Sequence, residues 1–152
     1  MTKDDVLNKG KELISTASAV YLTTVNSKGF PETRAMFNLR NAKKFPGLVD
    51  FFKEVDETEI YFTTNTSSAK VTQITANPNV SAYYCNARSW HGFMCQGNIE
   101  IVNDKKIKHA IWQDNWTIYY PEGIDSPDYS VLRLKPKYIK SYYKFNQEQI
   151  EL

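Results

Sequence analysis

The sequence predicts a mainly β (α+β) fold, an antiparallel barrel with helices at its margins. About seven segments are rich in β-branched and aromatic residues and are bounded by turn residues, as strands are. They do not alternate with helices in the way that a parallel βαβ sheet requires. Aromatic residues make up 14% of the chain, with ten Tyr and eight Phe, which suits a β-rich interior. We expect one domain over residues 1–152, because a chain of this length can bury its own core and no linker divides it.

Composition and charge exclude several classes of function. The net charge of +2 is nearly balanced and the lysines are spread along the chain, so we expect no nucleic-acid or membrane partner. The first residues lack the apolar region of a signal peptide, and no segment approaches the roughly 20 apolar residues of a membrane span, so we expect a cytoplasmic protein. Cys85 and Cys95 are the only cysteines, and their spacing predicts buried thiols rather than a metal or redox site.

The chain begins with a predicted helix followed by a hairpin. Asp4 and Asp5 are candidate N-caps of this helix, in which apolar residues recur near helical spacing. Gly10 weakens the helix locally. Residues 19–25 and 30–40 then predict two strands, and the turn residues between them predict a hairpin.

The middle of the chain predicts a third strand and a second clear helix. Residues 41–56 are ambiguous, because a Pro-Gly pair precedes an apolar run that favours a short helix. Residues 59–64 predict the third strand. Residues 67–76 predict a helix, which an Asn-Pro-Asn sequence ends.

The remaining segments complete the predicted barrel. Residues 80–85 and 91–102 predict two strands, and Gly97 predicts a bulge or a close approach in the second. Asp104 begins a lysine-rich helix, and an aromatic loop with Pro and Gly follows over residues 116–129.

Two further strands are predicted near the end of the chain. They cover residues 130–134 and 138–144, and Pro136 separates them because proline cannot donate to a sheet ladder.

The junction after the third strand is the most informative segment for function. An apolar strand leads into hydroxyl-bearing residues that begin a helix carrying Lys70. Thr66, Ser67 and Ser68 are all competent N-caps, and the first N–H groups of a helix favour negative charge. A phosphate would fit there, with Lys70 as its counter-charge. The alternative is that these hydroxyls only cap the helix, which is the commoner situation.

Several short motifs follow one another in a recognisable order between Ala19 and Tyr143. They are Gly29-x-Pro31-x-x-Arg34, Phe62-Thr63-Thr64-Asn65, Ser68-x-Lys70, Asn77-Pro78-x-Val80-Ser81, Gly97, and an Asp104 helix that ends near Trp112. Together they resemble the FMN-binding split barrels related to pyridoxamine 5'-phosphate oxidase. The later segments most resemble the general-stress-protein branch of that family, through Trp112, Trp116, Pro121-x-Gly123 and Leu132-x-Leu134-x-Pro136. The resemblance implies an antiparallel FMN-binding split barrel of about six or seven strands.

The resemblance also implies which residues contact FMN. Arg34 corresponds to an arginine that binds the phosphate, for which the guanidinium fork is suited. Ser68 and Lys70 correspond to a Ser-x-Lys pair on the same phosphate. The alternative for Arg34 is a surface ion pair with Glu32 or another acid. The remaining expected contacts are with the flavin ring or lie near it, and they are Ala35, Met36, Thr63, Thr64 and Trp112.

Two departures from the oxidase pattern argue against pyridoxamine phosphate oxidation itself. The oxidase places an arginine and a glutamine where this chain has His91 and Gly92, so one side-chain contact with the flavin is missing. Its Arg-x-His pair is also absent, because Arg133 is followed by Leu134 and Lys135. His91 would be a proton donor if it lay near a flavin. The alternative is an ordinary strand histidine at the edge of a loop.

The resemblance implies a cytoplasmic homodimer that holds FMN at its interface and acts on an unknown small molecule. The flavin would carry the redox chemistry, because no residue is a convincing dedicated acid, base or nucleophile. Two alternatives stay open. The protein would bind or sense flavin without turnover, or the barrel would hold a deazaflavin or haem instead.

Overall fold

The computed structural model describes residues 1–152 as seven strands, four α-helices and two short 3₁₀-helices. The α-helices are α1 (Lys3–Thr16), α2 (Val49–Lys53), α3 (Ala69–Ala76) and α4 (Lys105–Ile111). The strands are β1 (Ala19–Val25), β2 (Pro31–Phe37), β3 (Ile60–Asn65), β4 (Asn79–Asn86), β5 (His91–Val102), β6 (Tyr129–Tyr143) and β7 (Asn146–Glu151). The 3₁₀-helices cover Pro46–Leu48 and Asp114–Ile118.

All strand pairs are antiparallel, in the order β2-β1-β4-β5-β6-β3, and β7 also pairs with β6. The end strands β2 and β3 do not pair, yet residues of the two lie within 8 Å of one another. The sheet therefore curves into a barrel that stays open between these two strands. The predicted mainly β antiparallel barrel with marginal helices is confirmed. No helix is both long enough and apolar enough to cross a membrane.

Two apolar cores hold the fold together. The first fills the barrel with inward-facing strand residues such as Leu22, Phe62 and Phe93, and α1 covers it. The second packs aromatic residues such as Trp116 and Tyr129 against the other side of β3 and β6. Each fully buried side chain of this size contributes about 1.5–3 kcal/mol. The second core matters for function because it anchors the segment after α4.

The first helix differs from its prediction in two respects. Thr2 is the N-cap and forms a reciprocal capping box with Asp5, so the predicted caps Asp4 and Asp5 lie inside the helix. Gly10 is a packing requirement, because a Cβ there would lie 2.3 Å from both Phe93 Cδ2 and Ser141 Oγ. The helix therefore approaches the sheet at Gly10 more closely than any side chain allows.

The last part of the sheet also differs from its prediction. The two strands predicted on either side of Pro136 are one strand, β6. Pro136 is tolerated because the register shifts beside it: Gln96 pairs with Tyr138 and Gly97 with Pro136, so Lys137 is an extra residue of β6. Gly97 is the predicted position of close approach, because a Cβ there would lie 2.8 Å from the Lys135 carbonyl oxygen. Strand β7 was not predicted, because Asn146–Glu151 is mostly polar and has only one β-branched residue.

Candidate functional site

Most of the residues expected to bind the flavin lie around the opening between β2 and β3. A cavity of about 320 Å³ lies there, bounded by the two strands, the start of α3 and the segment after α4. Five of the eight predicted residues line it, namely Ala35, Met36, Thr63, Thr64 and Lys70. The other three, Arg34, Ser68 and Trp112, lie outside the lining.

Lys70 and its neighbours form the polar end of this cavity. Lys70 Nζ donates a hydrogen bond to Thr64 Oγ1 at 2.8 Å, and the Thr64 and Ser68 hydroxyls are 3.5 Å apart. Ser68 is the N-cap of α3, yet its side chain makes no capping hydrogen bond. Its hydroxyl is therefore directed towards Thr64 and the polar end of the cavity, and helix capping alone does not describe it.

The other hydroxyls of the β3–α3 loop have a structural role. Thr66 Oγ1 lies 3.0 Å from the Pro127 carbonyl oxygen and 2.6 Å from Ser130 Oγ. The Ser67 N–H donates to Asp128 Oδ1 at 2.9 Å. These bonds hold the loop to the residues that precede and begin β6. The position of Lys70 is consequently set by two strands as well as by its own helix.

Arg34 lies on β2 and is half-buried. Its Nη1 donates to Thr24 Oγ1 at 2.7 Å and to the Leu22 carbonyl oxygen at 3.2 Å, and its Nη2 donates to Gln73 Oε1 at 3.4 Å. Arg34 forms no ion pair with Glu32, whose carboxylate accepts a hydrogen bond from Gln73 Nε2 at 3.0 Å. All the acceptors of the guanidinium are therefore neutral oxygens.

The two cations lie close enough to affect each other. Burial lowers the pKa of Lys70, and the nearby positive charge of Arg34 lowers it further. Burial also lowers the pKa of Arg34, although Glu32 opposes the shift. Neither side chain forms a salt bridge. Two adjacent half-buried cations without an ion-paired acid favour the binding of an anion.

Aromatic side chains also line the cavity. Phe37 stacks on buried Trp116 with a centroid distance of 6.3 Å and an interplanar angle of 10°, and it also meets Tyr119 at 6.1 Å. Phe37 and Tyr119 are 46% and 49% exposed, a large fraction for aromatic residues at a cavity. The resemblance did not assign Phe37 or Tyr119. Their positions follow from the packing of the second core, although Phe37 directly follows the predicted Ala35 and Met36.

Trp112 lies in the second core rather than in the cavity wall. Its ring lies edge-on to that of Trp116, with a centroid distance of 6.1 Å, and its centroid is 5.1 Å from that of Tyr129. Its connection to the cavity therefore runs through Trp116.

His91 lies beneath α1 and does not line the cavity. Its ring centroid is 4.9 Å from that of Tyr143, and its Nε2 atom is buried without a hydrogen-bond partner. Burial lowers the pKa of His91, whereas a hydrogen bond with the Lys9 backbone and the charge of Glu12 raise it and the charge of Lys9 lowers it. The position next to it, Gly92, lies under a tyrosine ring, because a Cβ there would be 2.3 Å from Tyr83 Oη. A glutamine at position 92 would require Tyr83 to move.

A larger groove of about 520 Å³ lies on the outer face of β1, β4 and β5. Amide and hydroxyl side chains line it, and Lys137 is its only cation. None of the residues expected to bind the flavin lines this groove. The cavity between β2 and β3 is therefore the better candidate for an anionic ligand.

The structure thus combines an open antiparallel barrel, a cavity lined by Lys70 and by aromatic rings, and a second cation, Arg34, close to Lys70. Residues 7–143 match the family described as pyridoxamine 5'-phosphate oxidase. The chain therefore belongs to the pyridoxamine 5'-phosphate oxidase family. No curated protein matches it.

Solved structures agree with this assignment. A protein from Clostridium acetobutylicum related to general stress protein 26 of B. subtilis is 25% identical, with a TM-score of 0.77, over 100% of this chain and 97% of its own. A pyridoxamine 5'-phosphate oxidase-related, FMN-binding protein from Nostoc punctiforme is 18% identical, with a TM-score of 0.67, over 96% and 85%. A haem-binding protein from Mycobacterium smegmatis is 11% identical, with a TM-score of 0.63, over 94% and 57%. The last two likenesses concern the fold alone.

Proposed function

We propose that the protein binds FMN in the cavity between β2 and β3 and is an FMN-dependent oxidoreductase that acts on a small molecule. The observation that carries this proposal is the pair of adjacent, half-buried cations, Arg34 and Lys70, without an ion-paired acid. A phosphate dianion between them would supply the missing negative charge. Ser68 would donate a further hydrogen bond, since its hydroxyl is not used for capping.

The rest of the cavity suits the ring of a flavin. Ala35 and Met36 would lay strand backbone along the ring, and Thr63 and Thr64 would contact it from β3. Phe37 and Tyr119 offer exposed aromatic surface in the lining of the cavity. Trp112 would act on the cofactor through Trp116, which it contacts edge-on.

FMN, when bound, supplies the electron-transfer chemistry, and the side chains of this chain bind and orient it. Lys70 holds its proton at Nζ next to the expected phosphate, where the charge is needed for binding. No His, Cys, Asp or Glu lines the cavity. A second candidate, binding or sensing of flavin without turnover, draws its support from the absence of these four acid–base residue types from the cavity.

The FMN proposal is preferred to haem for a related reason. Haem iron is held by a histidine in globins and peroxidases and by a cysteine thiolate in P450s, whereas methionine and tyrosine, which line this cavity as Met36, Tyr119 and Tyr120, serve in cytochromes c and catalase. The chain has two histidines and two cysteines, and none of the four lines the cavity. The haem-binding relative nevertheless makes haem, like deazaflavin, an outcome that the experiment must distinguish.

We also propose a homodimer with the flavin at its interface, as the family resemblance implies. Exposed aromatic residues support it, because Tyr21 and Tyr83 are cross-strand partners on the outer face of β1 and β4 and are 37% and 41% exposed. Light scattering of the purified protein should give twice the mass of the chain. A mass equal to that of one chain at working concentrations would exclude the dimer.

The test of the proposed function begins with the small molecule that co-purifies with the protein. Its absorption spectrum separates flavin from haem, and its mass separates FMN from riboflavin and deazaflavin. Anaerobic addition of NADH or NADPH then tests the reductive half of turnover, in which hydride transfer to the flavin bleaches its absorption. Bound FMN that no cellular reductant bleaches would favour the binding candidate, and a protein that takes up no flavin would refute both.

A further inference from the structure

The guanidinium of Arg34 is held by a network that reaches α3. Thr24 lies opposite Glu32 in the β1–β2 ladder, is fully buried, and accepts a hydrogen bond from Arg34 Nη1 at 2.7 Å. The same hydroxyl lies 2.5 Å from Gln73 Oε1, to which it donates. Because a hydroxyl can donate one bond while it accepts another, Thr24 links Arg34 to Gln73.

Gln73 itself is oriented by an acid. Its Oε1 faces Thr24 and Arg34, and its Nε2 donates to Glu32 Oε2 at 3.0 Å. The carboxylate accepts only from the NH₂ group of the amide, so it fixes which end of Gln73 faces the guanidinium. Glu32 thus acts on Arg34 through Gln73 and leaves the cation without a direct ion pair.

The network also selects which donors of Arg34 stay free. A guanidinium has five N–H donors in a fixed fork. Nη1 uses two of them, on Leu22 and Thr24, and Nη2 uses one, on Gln73. The two donors that remain belong to Nε and Nη2, which are neighbours along one edge of the fork. Such an edge is suited to two parallel hydrogen bonds with a phosphate.

We propose that Thr24 and Gln73 are positioning residues of the phosphate site, which hold the Arg34 guanidinium so that its Nε–Nη2 edge is presented to the phosphate of the cofactor. This inference rests on the proposed function, since it concerns the same anion. Holding a long, flexible side chain before binding removes part of the ordering entropy that binding would otherwise lose.

The experiment measures the dissociation constants of FMN and riboflavin, which differ only in the phosphate. Thr24→Val removes the hydroxyl at nearly constant shape, and Thr24→Ser retains it. We expect Thr24→Val to weaken FMN binding about tenfold. Riboflavin affinity should not change, and Thr24→Ser should restore most of the FMN affinity. A loss of riboflavin affinity as large as that of FMN would mean a purely structural role and would overturn the inference.

Gln73→Met provides a second variant, because Gln73 is only partly buried and its loss does not open the barrel core. Thr72→Val, at the exposed neighbouring position of α3, is the matched control. We expect Gln73→Met to lower FMN affinity and the control to leave it unchanged. Combined with Arg34→Ala, neither Thr24→Val nor Gln73→Met should weaken FMN binding further, because both act through Arg34. Additive losses would overturn the inference.

The outcomes separate this inference from the function on which it rests. If the parent protein binds FMN no better than riboflavin, the phosphate site is wrong and both proposals fail. If the parent prefers FMN and both positioning variants keep that preference, the phosphate site stands and only the positioning role fails.

Discussion

Arg34 and Arg133 are both partly buried arginines on strands of one sheet, yet their surroundings are opposite. Arg133 has a phenol and a carboxylate beside it, with Nη1 at 3.5 Å from Tyr61 Oη and Nε at 2.7 Å from Glu100 Oε1, and these bonds raise its pKa. Arg34 has only neutral acceptors and lies beside Lys70, and burial lowers its pKa. Arg133 has its negative partner within the chain, whereas Arg34 lacks one.

This difference distinguishes a structural cation from a binding one. An arginine stays charged at any ordinary pH, so a half-buried guanidinium without an anion is not relieved by losing its proton. The positive charge of Lys70 next to Arg34 adds electrostatic repulsion between the two side chains. We therefore expect the site of Arg34 and Lys70 and the site of Arg133 to respond in opposite ways when their cations are removed or when an anion is added.

The largest effect should come from removing both cations of the site of Arg34 and Lys70. Arg34→Ala combined with Lys70→Ala should reduce FMN affinity by about two to four orders of magnitude, because each charge-assisted contact contributes about 1.5–3 kcal/mol. The fold should remain, since neither side chain has an ion pair to lose. Fluorescence titration with FMN measures the loss, and circular dichroism checks the fold. A double variant that holds FMN as tightly as the parent would refute the phosphate assignment.

A smaller effect should appear in the pH dependence of FMN binding. Burial and Arg34 lower the pKa of Lys70, so the free protein loses this proton at a lower pH than an ordinary lysine. A bound phosphate favours the charged form, so FMN affinity should fall as the pH rises through that lowered pKa, by up to about tenfold per pH unit. Lys70→Arg should remove the decline, because arginine keeps its charge. An unchanged pH profile in Lys70→Arg would show that Lys70 does not contact the anion.

The site of Arg133 provides the control for this comparison. Arg133→Gln or Glu100→Gln should leave FMN affinity unchanged and should lower the free energy of unfolding by about 1 kcal/mol or less, since Glu100 is about half exposed and solvent screens the pair. Urea denaturation measures the stability and the FMN titration measures the binding. If Arg133→Gln weakened FMN binding as much as Arg34→Ala, the contrast between paired and unpaired arginines would carry no functional meaning.

The parts of this arrangement that the sequence predicts are local. The β1–β2 hairpin, the strand before Lys70 and the close approach at Gly97 each follow from residues close together in the chain. The unbroken β6 was not predicted, because its tolerance of Pro136 depends on a register shift against the neighbouring strand β5 that leaves Lys137 as an extra residue. The positions of Phe37 and Tyr119 at the cavity and the contact between Thr24 and Gln73 were also not predicted, because they too depend on residues far apart in the chain. The latter joins residues separated by 49 positions, and no local pattern reports such a contact.

His91 shows how a buried unpaired group differs when it can lose its charge, and it supplies the smallest predicted effect. Its Nε2 is buried without a partner, and burial lowers its pKa from 6.5. Above that value neither the folded nor the unfolded chain is protonated at His91, so it has no effect. As the pH falls below it, the unfolded chain binds a proton first, and the free energy of unfolding falls until the lowered pKa is reached.

His91→Phe should therefore lose less stability than the parent as the pH falls below 6.5 towards the lowered pKa of His91, as measured by urea denaturation at each pH. The same substitution at His109, which is exposed and hydrogen-bonded to Asp125, is the control. A parent protein and a His91→Phe variant with the same acid dependence would show that His91 accepts a proton in the folded state. In that case Lys9 and Glu12 of α1, and not burial, would determine its charge. His91 would then have a charged partner, as Arg133 does. The distinction between buried groups that lose their charge and buried groups that need a ligand would not apply to it.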